Sequence, residues 1–171
     1  AKLIEQHRFG ADDIDEIRVG ISETSVTHGG AIYDPHDTAS AQFSLPFSLA
    51  IRLLKNDNDL SFYMDPKLWT DPKVLALARK VKSYADPNAK KDQNYNTTME
   101  VKLTNGKIYK AFEPYPPGSP LNMVGRDVLR AKFRKMARAV LTKERIDKVI
   151  EAVDGLQTYE KAAELIPMLV K

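Results

Sequence analysis

The clearest pattern in the chain lies on the two sides of an Asn-Gly pair. Met99, Val101 and Leu103 alternate with Glu100 and Lys102 before Asn105-Gly106, and Ile108, Lys110 and Phe112 return after it. This period of two is typical of strands, and Asn-Gly favours positive φ angles, so the sequence predicts a β-hairpin with a two-residue type I′ turn. The same period predicts another strand that buries Ile17, Val19 and Ile21.

Apolar residues elsewhere follow helical spacing. The predicted helices are a helix end over residues 3–9, a helix over 39–54 capped by Thr38 or Ser40, a helix opened by Asp71-Pro72 and running to Val81, a long amphipathic helix over 128–140, and two C-terminal helices capped by Thr142 and Thr158, the first ended by Gly155. The helix over residues 39–54 is expected to bury five residues on one face: Phe43, Phe47, Ala50, Ile51 and Leu54. Polar and Gly- or Pro-rich stretches predict loops over residues 22–38, 84–97 (with the polar cluster 90–94) and 114–120.

Strands mixed with helices that do not strictly alternate indicate an α+β fold. We expect a two-layer α/β sandwich over residues 1–141, in which the helices of residues 39–54 and 71–81 cover the sheet. The last three helices are expected to form a separate layer, and the two within residues 142–171 are the additional C-terminal helices. Their apolar stripes, which include Ile146, Ile150 and Leu165, are too apolar for helices exposed on all sides.

Composition narrows the function classes. A chain of 171 residues, 43% of them hydrophobic, can bury a core, and no apolar run is long enough to span a bilayer. The absence of cysteine excludes a disulfide framework, a thiolate nucleophile and a cysteine-ligated metal within the chain. We expect a soluble, cytoplasmic protein with no membrane partner.

Two features suggest partners other than a small molecule. Nine basic residues oppose three acidic ones between Arg126 and Lys148, but the net charge is only +3, so a solvated helix surface is favoured over a nucleic-acid interface. The Pro-x-x-Pro spacing at residues 114–117 suits an SH3-like groove, although a rigid connection explains it as well. An independent binding domain using either feature is the alternative function.

The candidate chemistry is sparse. His28 and His36 flank a loop that contains Asp34 and Asp37, yet none of the three histidines has a helical metal-binding spacing, and no metal site is predicted. A serine elbow is also absent from the sequence. We assign no catalytic residue and expect no cofactor.

Helix entrances and glycine turns offer the remaining candidate sites. Gln42 and Ser44 lie where free backbone N–H groups and a helix dipole suit a carboxylate ligand. Gly118 and Ser119 could bring backbone amides close to an anion. Capping and ordinary turn formation explain both pairs without a ligand.

Residues 39–54 (Ala-Ser-Ala-Gln-Phe-Ser-Leu-Pro-Phe-Ser-Leu-Ala-Ile-Arg-Leu-Leu) and 116–122 (Pro-Pro-Gly-Ser-Pro-Leu-Asn) carry a family resemblance. Together they make the chain resemble the C-terminal lid domain of the MmgE/PrpD family, which contains 2-methylcitrate dehydratases, cis-aconitate decarboxylases and iminodisuccinate epimerases. Members of that family are much longer than this chain. The resemblance implies a piece of an enzyme rather than a complete one.

The resemblance implies a small polycarboxylate as substrate and proton abstraction next to a carboxylate, without a cofactor or metal. It places Gln42, Ser44, Gly118, Ser119 and His28 as substrate-cleft candidates. The lid contributes a lysine and a histidine from a Lys-x-x-Pro-x-x-x-x-x-His motif just before the segment that resembles residues 3–17, and this chain does not contain that motif. The partners implied are the missing N-terminal helical domain, on which residues 142–171 would pack, and a second copy in a homo-oligomer.

One departure from the family pattern bears on the reaction. Typical 2-methylcitrate dehydratases carry an Arg-rich run directly after the glycine that resembles Gly118, whereas Ser119-Pro120 follows here. The resemblance therefore favours a decarboxylase-like, epimerase-like or other branch. The chain alone is expected to be inactive.

Overall fold

The computed structural model describes residues 2–89 and 96–170. The helices are α1 (Lys2–His7), α2 (Glu23–Ser25), α3 (Thr38–Phe43), α4 (Leu45–Lys55), α5 (Leu60–Tyr63), α6 (Pro66–Trp69), α7 (Pro72–Ala78), α8 (Arg126–Ala137), α9 (Lys143–Asp154) and α10 (Ile166–Leu169). The strands are β1 (Ile14–Ile21), β2 (Val81–Ala85), β3 (Thr97–Leu103) and β4 (Ile108–Glu113). The predicted α+β fold is confirmed. Backbone proximity divides the chain into two compact units, with the boundary after Asn122.

The four strands form one mixed sheet in the order β2-β1-β3-β4. β2 is parallel to β1, while β3 is antiparallel to both β1 and β4. Strands β1, β2 and β4 therefore run in the same direction and end at the same edge of the sheet. We call this edge, where Ile21, Ala85 and Glu113 lie, the carboxyl edge.

The hairpin of β3 and β4 is confirmed, but its turn is not type I′. Asn105 has a negative φ angle, and Gly106 alone in the turn has a positive one, at 83°. The Gly106 N–H donates to the Leu103 carbonyl and the Leu103 N–H donates to the Lys107 carbonyl. These bonds describe a three-residue connection that ends in a left-handed glycine, a common alternative for the same Asn-Gly signal.

Two apolar clusters meet at α4. One face of this helix packs Leu45, Leu49 and Leu53 against the sheet. The opposite face buries Phe47, Ala50 and Ile51 against α5, α6 and α7. The helix of residues 39–54 therefore covers the sheet as predicted, but through Leu45, Leu49 and Leu53 of α4, whereas Phe47 and the α7 residues belong to the other cluster.

The predicted helix over residues 39–54 is two helices with a break at Ser44. Ser44 has an extended backbone and caps α4, and Pro46 in the first turn cannot donate the N–H that would continue α3. The break turns Phe43 out of the core, so that 70% of its surface is exposed. Leu54, also expected on the buried face, is partly exposed. The α3 cap is Asp37, whose side chain accepts the Ser40 N–H, rather than Thr38 or Ser40.

Strand β2 occupies residues that were predicted as a helix end and a loop. The Asp71 cap and Pro72 start of α7 are confirmed, but the helix ends at Ala78 and Val81 begins the strand. The predicted loop over residues 22–38 is also partly helical, since α2 is followed by a π-helical turn at Val26–Gly30. The polar cluster predicted at residues 90–94 lies outside the described residues.

The second unit contains α8, α9 and α10. The α8 helix, the Thr142 cap of α9 and its end at Gly155 are confirmed. Thr158 does not cap a helix; it lies in a 3₁₀ turn and its hydroxyl donates to the Gly155 carbonyl. Ile146 is buried with Ala137, Val149 and Ala152, so α8 and α9 form a small core of their own.

Candidate functional site

Three connections leave the sheet at the carboxyl edge: residues 22–37 after β1, a segment that begins with residues 86–89 after β2, and residues 114–122 after β4. The register pairs Gly20 with Thr98 and Thr97 with Glu113, so the ends of β1 and β4 lie beside the start of β3. Ligand sites in open sheets with parallel strands are commonly formed by loops at the strands' carboxyl ends. This edge carries His28, Gly118 and Ser119 on its loops.

His28 lies in the π-helical turn after β1, and π turns occur frequently at functional sites. Its Nδ1 is 2.8 Å from the Thr24 carbonyl oxygen. Because a carbonyl oxygen can only accept, this hydrogen bond keeps the proton of a neutral imidazole on Nδ1 and leaves Nε2 as an acceptor. The ring is exposed, so Nε2 is available to a ligand.

Two glycines place this turn against neighbouring elements. A Cβ at Gly29 would lie 2.6 Å from the Phe43 carbonyl oxygen, and a Cβ at Gly30 would clash with the Ser83 Oγ. The Ser83 hydroxyl donates to the Gly30 carbonyl at 2.9 Å. The turn that carries His28 is thus packed against both the end of α3 and the outer strand β2.

Ser44 is fully buried and both hydrogen-bonding functions of its hydroxyl are used. The hydroxyl donates to the Ile32 carbonyl and accepts the Phe47 N–H. Pro46 supplies no N–H, so few free donors remain at the start of α4 for an anion. Gln42 is exposed in the last turn of α3, two residues before this buried anchor.

The Gly118 and Ser119 amides are engaged within their own turn. Gly118, with φ at 93°, donates to the Asn122 carbonyl, and Ser119 donates to the Pro116 carbonyl. The Asn122 side-chain amide donates to the Tyr115 carbonyl at 2.7 Å. The Ser119 Oγ is buried and has no hydrogen-bond partner in the described structure. A ligand or a rotation of the side chain could satisfy this hydroxyl.

The structure brings part of the candidate set together. The turn contact of Gly29 with Phe43 joins the His28 turn to the α3–α4 break, where Gln42 and Ser44 lie. Gly118 and Ser119 leave the same sheet edge from β4, with β1 and β3 between that strand and β2. As substrate contacts all five residues stay predictions.

Asp86 is a polar residue of this edge that the sequence analysis did not select. Its N–H donates to the Ile21 carbonyl, and its carboxylate accepts the Thr98 hydroxyl at 3.0 Å and the Asn88 N–H at 2.9 Å. The Asn88 backbone N–H, and to a lesser degree the Thr98 hydroxyl, hold the pKa of Asp86 below its ordinary value despite partial desolvation. In the sequence, the Asp-Pro-Asn turn at residues 86–88 is the only sign of this site, and it indicates the carboxyl edge only if β2 is known to end there.

The described residues contain no group of three or more histidine or acidic side chains arranged to hold a metal ion. A search of the same residues finds no helix with the length and apolarity needed to cross a membrane.

The alternative function, an independent binding domain, depends on the basic helices or the Pro-rich turn, and both are largely engaged in contacts within the chain. Arg130 pairs with Asp154 at 2.6 Å and Arg134 pairs with Asp147 at 2.8 Å, so part of the basic charge of α8 is neutralised by α9. Pro116 and Pro117 begin a turn in which the Ser119 N–H donates to the Pro116 carbonyl, so the C-terminal half of the Pro-x-x-Pro segment is held in this turn. A Pro-x-x-Pro ligand needs an extended polyproline conformation to dock.

Comparison with known proteins assigns residues 1–156 to a family model described as the MmgE/PrpD C-terminal domain. A curated relative from Aspergillus oryzae, named 2-methylcitrate dehydratase-like protein oryR, is 24% identical over 170 residues. The aligned region covers 95% of this chain and 34% of the relative. The chain thus spans about a third of the length of the curated relative it matches.

Proposed function

The chain belongs to the MmgE/PrpD family through its C-terminal domain, and we propose that it works as the lid of a longer enzyme that acts on a small polycarboxylate. The observation that carries this proposal is the family match, which extends over both the α+β unit and most of the second unit. The greater length of the relative supports a partner domain outside this chain.

In the proposed reaction a base removes a proton from the carbon next to a carboxylate, and the electron pair passes into that carboxylate as an enediolate. Loss of a β-hydroxyl, which takes up a proton and leaves as water, then completes a dehydration, and return of a proton to the opposite face completes an epimerisation. In a decarboxylation the enediolate takes a proton back, a carboxylate leaves as carbon dioxide, and the electron pair left on carbon takes up a second proton. The enediolate needs hydrogen-bond donors or cations positioned beside it. No residue of this chain is assigned as the base, and no cofactor or metal is required for these steps.

The carboxyl edge is the surface that we propose to face the substrate. Lys2 forms an ion pair with Glu113 at 2.6 Å, so the start of α1 lies at this edge. Residues directly before α1, where the family motif with its lysine and histidine is expected, would therefore enter the domain beside the His28 and Gly118 loops. This arrangement supports convergence of the motif and the loops on one ligand.

Each candidate residue has a proposed role at this edge. The exposed Nε2 of His28 would accept a hydrogen bond from a substrate hydroxyl or from a protonated carboxylate, and the Gln42 amide would donate to a carboxylate. Ser44 would act indirectly, by fixing the α3–α4 break that positions Gln42. The turn of Gly118 and Ser119 would close the other side of the ligand.

The test compares the 171-residue chain with a longer protein that also includes the preceding domain. Both are incubated with 2-methylcitrate, cis-aconitate and iminodisuccinate in deuterium oxide, and NMR follows turnover and exchange of the proton next to the carboxylate. We expect activity from the longer protein only, because the base and the enediolate donors must converge within hydrogen-bond reach. Turnover by the 171-residue chain alone would refute the lid proposal. A longer protein that neither converts any of the three compounds nor exchanges their protons would refute the reaction class.

A further inference from the structure

A groove separates α1 from α4 on the helix-covered face of the sheet. It has a volume of about 280 Å³ and belongs entirely to the first unit. Its floor is formed by inward-facing residues of β1, β3 and β4, and α1 and α4 form its walls. It is separate from the five candidate residues of the carboxyl edge, none of which lines it.

The groove is almost entirely apolar. Its floor contains Ile14, Ile17 and Val101, which are each no more than 2% exposed. Above the floor, half-buried apolar side chains leave part of their surface open to the groove: Ile4, Leu49, Leu53, Met99 and Ala111. Both α1 and α4 already pack on the sheet. The exposed apolar surface is therefore confined to the space between these two helices.

The polar groups of the groove are few and mainly cationic. Thr97 and the Lys2–Glu113 ion pair line the part next to the carboxyl edge. Arg52 lines the α4 side, and one of its guanidinium N–H groups donates to the Asn56 carbonyl. Two cations against one carboxylate leave a net positive charge beside an apolar slot.

We propose that this groove binds a short-chain or medium-chain monocarboxylate, with the acyl chain along the apolar floor and the carboxylate beside Arg52. The volume is slightly below the roughly 300–1,000 Å³ of pockets for drug-sized molecules, so a single unbranched chain fits better than a ring system. Arginine is suited to the head group because its planar guanidinium can donate two parallel hydrogen bonds to a carboxylate. This site is independent of the proposed lid function.

The test uses octanoate as the probe and the 171-residue chain as the protein. Methyl resonances of Met99, Ala111, Leu49 and Leu53 are followed by NMR during titration. We expect saturable shifts confined to methyl groups that line the groove. Hexanoate, which has two fewer methylenes, should bind about fifteenfold more weakly, since each buried methylene contributes about 0.8 kcal/mol. Octan-1-ol and octylammonium, which have the same chain without the negative charge, should bind more weakly than octanoate.

Two substitutions examine the head group and the slot separately. Arg52→Gln should reduce the preference for octanoate over octan-1-ol by about threefold to fivefold, the range expected for a partly exposed ion pair. Arg79→Gln is the matched control, because Arg79 pairs with Asp34 and does not line the groove. Ala111→Phe should fill the slot and abolish octanoate binding; the wild-type shift map remains decisive if that variant does not fold.

Several results would overturn the proposal. They are the absence of saturable shifts at millimolar octanoate, shifts centred on methyl groups of α8 and α9 instead, and equal binding of octanoate and octylammonium. Shifts of the same groove methyl groups with protein concentration, without octanoate, would assign the groove to a second copy of the chain and would also overturn it. None of these binding measurements depends on the activity of a longer protein, so the lid proposal and the groove proposal can fail separately.

Discussion

Phe43 and Phe47 are four residues apart, and helical periodicity places them on one face, yet they lie in opposite environments. Phe47 is fully buried and meets the Tyr63 ring edge-on at a centroid distance of 5.9 Å. The aromatic pair sits in the cluster that joins α4 to α5, α6 and α7. Periodicity could not separate the two phenylalanines, because the backbone break at Ser44 rotates the first away from the second.

We expect Phe47→Ala to lower the free energy of unfolding by about 3–5 kcal/mol, since it removes a buried ring and leaves a cavity. Phe43→Ala is the matched control and should change that free energy by less than about 0.5 kcal/mol, because Phe43 is mostly exposed. Urea denaturation of both variants provides the measurement. A loss below about 1 kcal/mol for Phe47→Ala would place this ring outside the core.

Asp86 gives a pH-dependent prediction. Its folded-state pKa is lowered, above all by the Asn88 backbone N–H and also by the Thr98 hydroxyl, so its ionised form stabilises the fold. This contribution is fully present above the unfolded-state pKa of about 3.9 and is lost as the pH falls through the lower folded-state pKa.

The Asp86 carboxyl carbon should therefore titrate by NMR with a midpoint below the ordinary aspartate value. Asp86→Asn, which keeps one side-chain acceptor but carries no charge, should have a shallower loss of unfolding free energy on acidification below about pH 4. A midpoint at or above the ordinary value would contradict the proposed role of the Asn88 and Thr98 hydrogen bonds.

At the scale of elements, the sequence predicts those parts that local chemistry specifies. The hairpin followed from alternation and the Asn-Gly pair, and α7 and α9 followed from their Asp71 and Thr142 caps. Strand β2 was missed because only its first residue, Val81, is buried and it directly follows a helix whose apolar spacing includes it. Its identity depends on pairing with β1, which is a tertiary contact and leaves no periodic signal in five residues.

The candidate site was predicted only in part for a related reason. Sequence pointed to the α4 entrance, but could not indicate that the Ser44 hydroxyl is consumed by Ile32 and Phe47. It selected His28 only as one of two loop histidines. The hydrogen bond that fixes its tautomer depends on a π-helical turn that the polar loop pattern did not predict.

Gly29→Ala probes the coupling between the His28 turn and the end of α3. The new Cβ would lie 2.6 Å from the Phe43 carbonyl oxygen, so one of the two backbones must move. We expect a loss of about 1–3 kcal/mol in unfolding free energy, together with faster amide exchange in α2 and the π-helical turn.

Gly10→Ala is the matched control for this substitution. The nearest atom to its added Cβ is an Asp13 side-chain oxygen at 3.8 Å, an ordinary contact, so stability and exchange in the His28 turn should change little. Equal effects of the two substitutions would mean that the loss at Gly29 does not come from contact with α3.

At the scale of the whole molecule, the two units differ in how completely they cover their apolar residues. The first unit has two clusters of buried apolar side chains. The second unit has a small core around Ile146, while its exposed large apolar residues are numerous: Val128, Leu129, Met136, Val140, Val153, Leu156, Ile166, Leu169 and Val170. Of the stripe residues expected on the C-terminal helices, Leu169 is exposed, whereas Ile146 is buried.

A groove of about 440 Å³ between α8 and α9 collects part of this surface, with Leu129, Phe133 and Val153 among its lining residues. The predicted division into a lid domain of residues 1–141 and helices that pack on a further domain stays a prediction. This division implies that a further domain covers the groove in the longer protein. When that domain is absent, a second copy of the chain would cover the groove instead, because self-complementary apolar patches form two-fold dimers.

We therefore expect the 171-residue chain to self-associate at micromolar concentrations, as measured by light scattering and sedimentation. Leu129→Lys and Val153→Lys should each weaken the association by at least about tenfold, because burying an unpaired lysine against an apolar surface is costly. Leu121→Lys is the matched control: Leu121 is 67% exposed but belongs to the first unit and does not line the groove. A monodisperse monomer whose amides in α9 and α10 are all strongly protected from hydrogen exchange would show that the tail is stable without a partner, and the inference of a missing domain on this face would fail.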